Sequence, residues 1–320
     1  MRNVNYECQG NMTTVPEFFL RGFQVLPELK MFFFVVFLAI YIITVFGNIL
    51  IVVMVSVDNR LQAPMYIFLG NLSFSEIWYM TSTVLTMLSG LLREGCTVTL
   101  AACLTQFYFW AFFATTECLL LTVMSYDRYT AICYPLHYTT LMDQSRCMQL
   151  VSSTWVISFV IACITIYLAG TFKFSDYNEI DHFFCDFAPL VKAACSDTSL
   201  AVMTVFVFSF VVSLFPFMLI IVSYVYIISA ILRIPSTTGR QKTFSTCSSH
   251  LAVVIMYFGT LIALYVAPSK AQSVNLNKAL SLLYTVATPL FNPIIYTLRN
   301  KEIRQSFQNL IRKMLTLKVV

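Results

Sequence analysis

The sequence predicts an all-α fold: a seven-transmembrane helix bundle followed by a short amphipathic C-terminal helix at the inner membrane face. Three observations lead there. The chain is 58% hydrophobic and 11% charged, with 29 Phe, too apolar a balance for a water-soluble domain of 320 residues. Its charges are segregated. Residues 31–57, 148–172, 198–232 and 279–298 carry none, 243–269 hold only His250 among acids and bases, and 61–92 and 95–126 hold one acid each, Glu76 and Glu117. Each of these seven stretches supplies the roughly 20 apolar residues that cross a bilayer core about 30 Å thick. Nothing resembles the alternation of roughly ten-residue strands expected of a membrane barrel.

Taken in order, residues 1–30 form an extracellular tail, 31–298 the seven-helix domain, and 299–320 a cytoplasmic amphipathic helix and tail. With the N-terminus outside, the inner segments hold 12 Lys and Arg and the outer segments the other 8 of 20, which follows the positive-inside rule. Asn11 heads an "NMT" glycosylation sequon on the outer tail, whereas "NLS" at Asn71 falls inside the second span. Residues 1–30 lack an apolar h-region, so the first span is expected to be its own insertion signal. The longest connection, about 173–197, is acidic and aromatic. The segment 232–250 is a short basic inner connection. After Tyr296 the chain turns basic, and Ile303, Phe307, Leu310, Ile311 and Met314 recur at helical spacing, as in a helix lying along a membrane face. No repeat or low-complexity tract is visible.

Of ten cysteines, Cys103, Cys118 and Cys163 fall within spans, Cys133, Cys147 and Cys247 face the reducing side, and Cys8, Cys96, Cys185 and Cys195 the oxidising side. Four cysteines allow three pairings; a bond from Cys96, heading the third span, to Cys185 would pin the long loop over the bundle's mouth. Polar groups inside a membrane need partners. Glu117 lies ten residues before Asp127, about 15 Å at a rise of 1.5 Å per residue. Glu76, Asn48 and Asn292 fall at comparable inner depth on the second, first and seventh spans. Two readings stand together: interhelical hydrogen bonding with a protonated glutamate, or a small cation site or proton-sensitive switch. Pro216, Pro268, Pro289 and Pro293 each remove a backbone donor and bend or loosen the late spans.

Several stretches, in register over about residues 11–314, carry a resemblance: "GN" at 47–48, "LQAPMYIFLGNLSFSEIW" at 61–78, "MSYDRYTAICYPLHY" at 124–138, "SY" at 223–224, "KTFSTCSSHL" at 242–251 and "PLFNPIIYTLRNKEI" at 289–303. With these the chain resembles an olfactory receptor of the rhodopsin-like (class A) G-protein-coupled receptors. The resemblance implies a plasma-membrane receptor of olfactory cilia, a small volatile odorant as ligand, and a heterotrimeric stimulatory or olfactory G protein that raises cyclic AMP. It assigns Asp127, Arg128 and Tyr129 to the inner end of the third helix, where Asp127 restrains Arg128 at rest. Tyr224 and Tyr296 rearrange around that arginine, and Asn292 and Pro293 belong to the same switch. It also implies the Cys96–Cys185 bond, and Glu76, Glu117 and Asn48 as a sodium or proton site. The sequence departs from the family pattern where Glu76 replaces the common aspartate, Ser175 replaces a cysteine that would partner Cys195, and Ser125 replaces alanine.

The ligand cavity implied by the resemblance draws on Phe107, Trp110, Ala111, Ala114, Thr115 and Cys118 of the third span. Phe208, Ser209 and Val212 of the fifth and Phe258, Leu261, Ile262 and Tyr265 of the sixth complete it. This is an apolar set with a few hydroxyls, suited to a small neutral molecule. Trp110 stands where aminergic receptors carry an acid, and Lys278 lies at the outer end of the seventh span, too far out for a retinal Schiff base. Other readings are a class A receptor for another small lipophilic ligand or an ion-coupled transporter, the latter opposed by the absence of an inverted repeat. No His-Glu-x-x-His or metal cluster suggests an enzyme, and no cofactor or nucleic-acid partner is implied.

Overall fold

The computed structural model describes residues 17–23, 26–93, 95–174, 177–265, 274–299 and 301–317. Asn11, Cys8, Ser175 and Pro268 lie outside them, as does the side chain of Tyr265. The chain opens with strand β1 (Glu17–Leu20) and helix α1 (Pro27–Val57), whose first turn begins on Pro27, a residue that needs no hydrogen-bond acceptor there. α2 (Pro64–Arg93) follows, then β2 (Cys96–Thr99), α3 (Leu100–Cys133), the single turn α4 (Tyr138–Leu141) and α5 (Gln144–Gly170). The long loop holds β3 (Tyr177–Ile180) and α6 (Phe187–Ala193). The fifth span is α7 (Ser199–Ser209), a π-helical turn (Phe210–Leu214) and α8 (Phe215–Leu232). The sixth is α9 (Thr237–Tyr265). The seventh is α10 (Val274–Leu282), a second π turn (Leu283–Ala287) and α11 (Thr288–Arg299), with α12 (Lys301–Leu317) after it.

Five of the seven spans are long and apolar enough to cross a bilayer by length and composition alone: the first, third, fourth, fifth and seventh. The sixth contributes a shorter apolar stretch, His250–Leu264. The second is 30 residues long, but its polarity is turned inward: Ser73, Ser75, Glu76 and Thr83 are all buried. The third span is central. In its most apolar window 67% of residues are buried, against 17% in the first span, whose Phe32, Ile42 and Phe46 face outward.

Local chemistry sets the ends. The side chains of Thr99 and Asp143 cap α3 and α5 by accepting from the amides of Ala102 (3.3 Å) and Arg146 (2.8 Å). Both π turns end two residues before a proline, Pro216 and Pro289. Proline has no N–H for the fourth carbonyl before it, and in the fifth span the Phe215 amide reaches back five residues to Phe210 instead. Close packing fixes Gly47, where an added Cβ would stand 3.3 Å from Pro293 Cβ.

The three strands form one small sheet, order β2-β1-β3, which the sequence did not announce. β1 runs antiparallel to β2 and parallel to β3, with Leu20 opposite both Cys96 and Ile180. Gly95 has φ +132° and the Phe19 ring occupies the space of a Cβ, so only glycine fits before β2. At the opposite, basic end, the Tyr66 hydroxyl donates to Glu302 Oε2 at 2.6 Å and ties α12 to the second span.

The expected Cys96–Cys185 bond is corrected. Cys185 is bonded to Cys103, with Cα atoms 5.4 Å apart, and Cys96 is a free thiol. Cys103 is the fourth residue of α3, and the loop dips far enough into the mouth of the bundle for Cys185 to be fully buried. Cys96 instead sits in β2 opposite Leu20, with its Sγ 4.0 Å from the Ser89 hydroxyl. Cys195 is also disulfide-bonded, its partner outside the described residues.

Candidate functional site

The site builds up in three levels from the sheet end to the basic end. The first is a roof. Lys278, buried at the start of the seventh span, donates to Asp181 Oδ1 at 2.6 Å and to the Gly22 carbonyl at 2.8 Å, fastening the loop and the segment after β1 to one ammonium. The amides of Arg21 and Gly22 donate to the carbonyls of Ile180 and His182. Arg21 also pairs with Glu179, an exposed contact of little weight. His182, Phe183, Phe184, Cys185, Asp186 and Phe187 are all buried in this roof. Burial, helped by the Lys278 charge, lowers the pKa of His182 to about 3, so its imidazole is neutral. Gln106 holds roof to bundle: its Nε2 donates to the Ser82 carbonyl (2.7 Å) and Thr86 (2.8 Å), and its Oε1 accepts the Cys185 amide (2.9 Å).

Beneath the roof lies a small cavity of about 90 Å³. Phe107, Trp110, Ala111, Ala114, Thr115 and Cys118 line it from the third span, Phe208, Ser209 and Val212 from the fifth, and Leu261 from the sixth. Phe258 and Ile262 lie outside this lining; Phe258 is fully buried against Phe217, ring centroids 5.7 Å apart. Ile161, Thr165, Phe187, Val205 and Ser213 also line it and were not singled out in the sequence. Ile161 and Thr165 are four apart on one helix face, but the charge-free fourth span does not reveal which face turns inward. Trp110 packs against the roof and the seventh span, its ring within 6.2 Å of those of Phe107, Phe184 and Tyr284, while Ala114, Thr115 and Cys118 lie deeper in the lining.

Deeper still is a buried polar layer. Asn48, Glu76, Glu117 and Asn292 are all essentially without exposure. Asn292 Nδ2 donates to Glu76 Oε1. Asn48 approaches Glu76 and Tyr257 approaches Glu117 without closing a well-formed hydrogen bond, and Glu117 acts on Glu76 electrostatically. These carboxyl oxygens are hard donors of the kind a sodium ion takes, and two carboxylates in a low-dielectric core need a proton or cation between them. Among the described residues no cluster of three or more His, Cys, Asp or Glu could hold a metal.

At the basic end, Asp127 is fully buried, pairs with Arg128 (3.2 Å) and accepts from the Tyr138 hydroxyl (2.7 Å). Tyr138 lies beyond the third span, and its own burial beside Asp127 holds its phenol well above the usual range. The Tyr224 hydroxyl shares a 2.8 Å hydrogen bond with His250 Nδ1, which links the fifth and sixth spans. Tyr296 is buried with no hydrogen-bond partner for its hydroxyl, and Tyr129 points to Tyr134 (3.5 Å). His250 was visible in sequence as the one acid or base in an apolar run, which was a usable signal for this link.

Comparison with known proteins matches residues 37–317 to the family described as olfactory receptor. The chain is 50% identical to Olfactory receptor 11A1 of Homo sapiens over 298 residues, 93% of this chain and 94% of that protein. It is 46% identical to Olfactory receptor 11L1 of Homo sapiens, covering 95% of this chain and 94% of that one. To Olfactory receptor 6B9 of Mus musculus it is 42% identical, covering 94% and 95%.

Proposed function

The chain belongs to the olfactory receptor family, and from that premise we propose that it binds a small, neutral, mostly apolar odorant in the cavity beneath the roof and activates a stimulatory or olfactory G protein. A member of this family is a signalling receptor, not an enzyme, and its apolar helices make it a multi-pass membrane protein. In the orientation we propose, the N-terminus and the sheet end face outward and the basic end meets the G protein, with olfactory cilia as the site of action.

The observation that carries the ligand class is the cavity lining: aromatic and aliphatic side chains, the hydroxyls of Thr115, Thr165, Ser209 and Ser213, and no acid or base. A cation brought there would lose its hydration without gaining a counter-charge, whereas a neutral alcohol, aldehyde, ketone or ester keeps one hydrogen bond. Seating the ligand against Trp110 and Leu261 presses on the third and sixth spans together. Movement of the sixth span draws on the Tyr224–His250 link. Arg128, released from Asp127, is then the group offered to the G protein. In the polar layer, Glu76, Glu117 and Asn48 would hold a sodium ion or a shared proton that favours the resting packing.

The test is cyclic AMP in cells expressing the receptor, against a panel that sets neutral odorants beside quaternary ammonium compounds, with ion flux followed in the same cells. Neutral agonists should raise cyclic AMP, and Arg128→Ala should reach the surface but lose that rise. Activation across the panel by quaternary ammonium compounds, or ion flux without cyclic AMP, overturns the reading.

A further inference from the structure

The cavity is open on one side, and its lining shows which. Phe107, Trp110, Phe187 and Leu261, which face the roof, the bundle axis and the sixth span, are buried. The half-exposed lining residues are Ala111, Ile161, Val205, Phe208 and Ser209, all on the third, fourth and fifth spans. Ile161 and Val205 come from α5 and α7, whose neighbouring positions are exposed and apolar: Ile157, Val160 and Ile164 on one, Val202 and Phe206 on the other. In a membrane this surface meets acyl chains. The sheet end, by contrast, is covered by buried aromatic rings and fastened by Cys103–Cys185 and Lys278.

We propose that small lipophilic molecules reach the cavity from the bilayer, through the seam between the fourth and fifth spans, with Ile161 and Val205 flanking the opening. A molecule dissolved in the hydrocarbon core has already left water, so passing between two apolar side chains adds no desolvation and breaks no hydrogen bond. Entry through the roof would separate the Lys278 ammonium from both its acceptors and expose a layer of packed rings. The ligands admitted are those that partition into lipid, and the seam selects by width before the cavity selects by fit. This route rests on the reading of the cavity as the ligand site.

The test uses the full-length receptor in phosphatidylcholine vesicles and a diazirine-bearing octanol dissolved in the lipid. The mixture is photolysed at intervals, and label on third-span peptides spanning 107–118 is measured by mass spectrometry. Ile161→Trp with Val205→Trp should slow the approach to plateau about tenfold, the effect of roughly 1.4 kcal/mol on a barrier. Ile161→Ala with Val205→Ala should speed it, which keeps the test sharp if the bulky pair fails to fold. Lys278→Ala should leave the rate unchanged. Wild-type rates in the Ala pair, a lowered plateau at an unchanged rate in the Trp pair, or acceleration by Lys278→Ala overturns the route while leaving the cavity reading intact. Absence of third-span label in the wild type overturns both.

Discussion

Cys103 and Cys96 stand seven residues apart near the start of the third span, yet only Cys103 reaches Cys185. The bond joins positions separated by 82 residues; closing a loop of that size constrains the unfolded chain by roughly 4–5 kcal/mol in the chain-entropy picture. Cys103→Ala and Cys185→Ala should therefore both lose surface receptor, measured by antibody binding to an N-terminal tag on intact cells, while Cys96→Ala keeps surface level and response. Loss with Cys96→Ala and not with Cys103→Ala would reverse the assignment. His182 supplies a second residue-scale test. Its neighbours Lys278 and Lys192 oppose protonation, Asp181 favours it, and burial outweighs them all, taking its pKa from 6.5 to about 3. Between those values the unfolded loop binds a proton that the folded roof refuses, so roof stability is full above pH 6.5 and falls as pH drops through it. At pH 5 the loss is about 2 kcal/mol. Protection factors of the loop amides, intrinsic over observed exchange rate, should be lower at pH 5 than at pH 7, and His182→Phe should remove that difference.

The elements read from sequence were those whose signal is local. Apolar runs with at most one acid or base located seven spans because the bilayer demands apolar length, and helical spacing of Ile303, Phe307 and Leu310 located α12. What stayed hidden depends on distant partners. β3 reads in sequence as an acidic loop and is a strand only because residues 17–20 lie beside it. The prolines announced irregularity in the fifth and seventh spans, but a kink and a π turn look alike in sequence. The distinction matters for the cavity, since the extra residue of the turn at Phe210–Leu214 sets the rotation of everything before it in the fifth span. Pro216→Ala restores an amide that can donate to the carbonyl four residues back and allows a regular helix. That change turns Val205 and Ser209 relative to the third span. The expected result is normal surface level with agonist potency lowered by roughly tenfold or more, about 1.4 kcal/mol of binding. Unchanged potency would mean that side-chain packing, not the proline, holds the turn.

Across the whole molecule, the cavity and the basic end are joined by the buried layer of Glu76, Glu117, Asn48 and Asn292. Its depth was legible because acids in apolar runs stand out, but its pairing was not: that Asn292 serves Glu76 while Glu117 has Tyr257 beside it follows from how the helices are turned. Glu117→Gln keeps shape and removes one ionisable group, so the ratio of basal to maximal signalling should change and sensitivity to sodium or pH should fall. A variant matching wild type in both, at equal surface level, would reduce the pair to packing. The roof has a different kind of consequence, in the order of manufacture. Glu17 pairs with Tyr177, made 160 residues later, and Gly22 waits a further hundred or so for Lys278, at a separation of 256. β2 can cover one edge of the first strand earlier, but at roughly 5–20 residues per second the other edge stands open for on the order of ten to thirty seconds, an edge that chaperones can hold. The roof is thus complete only near the end of synthesis. Unrelated lesions that keep the fourth or seventh span from seating would display the same open edge of the N-terminal strand, and so converge on a single expected defect, retention before the cell surface.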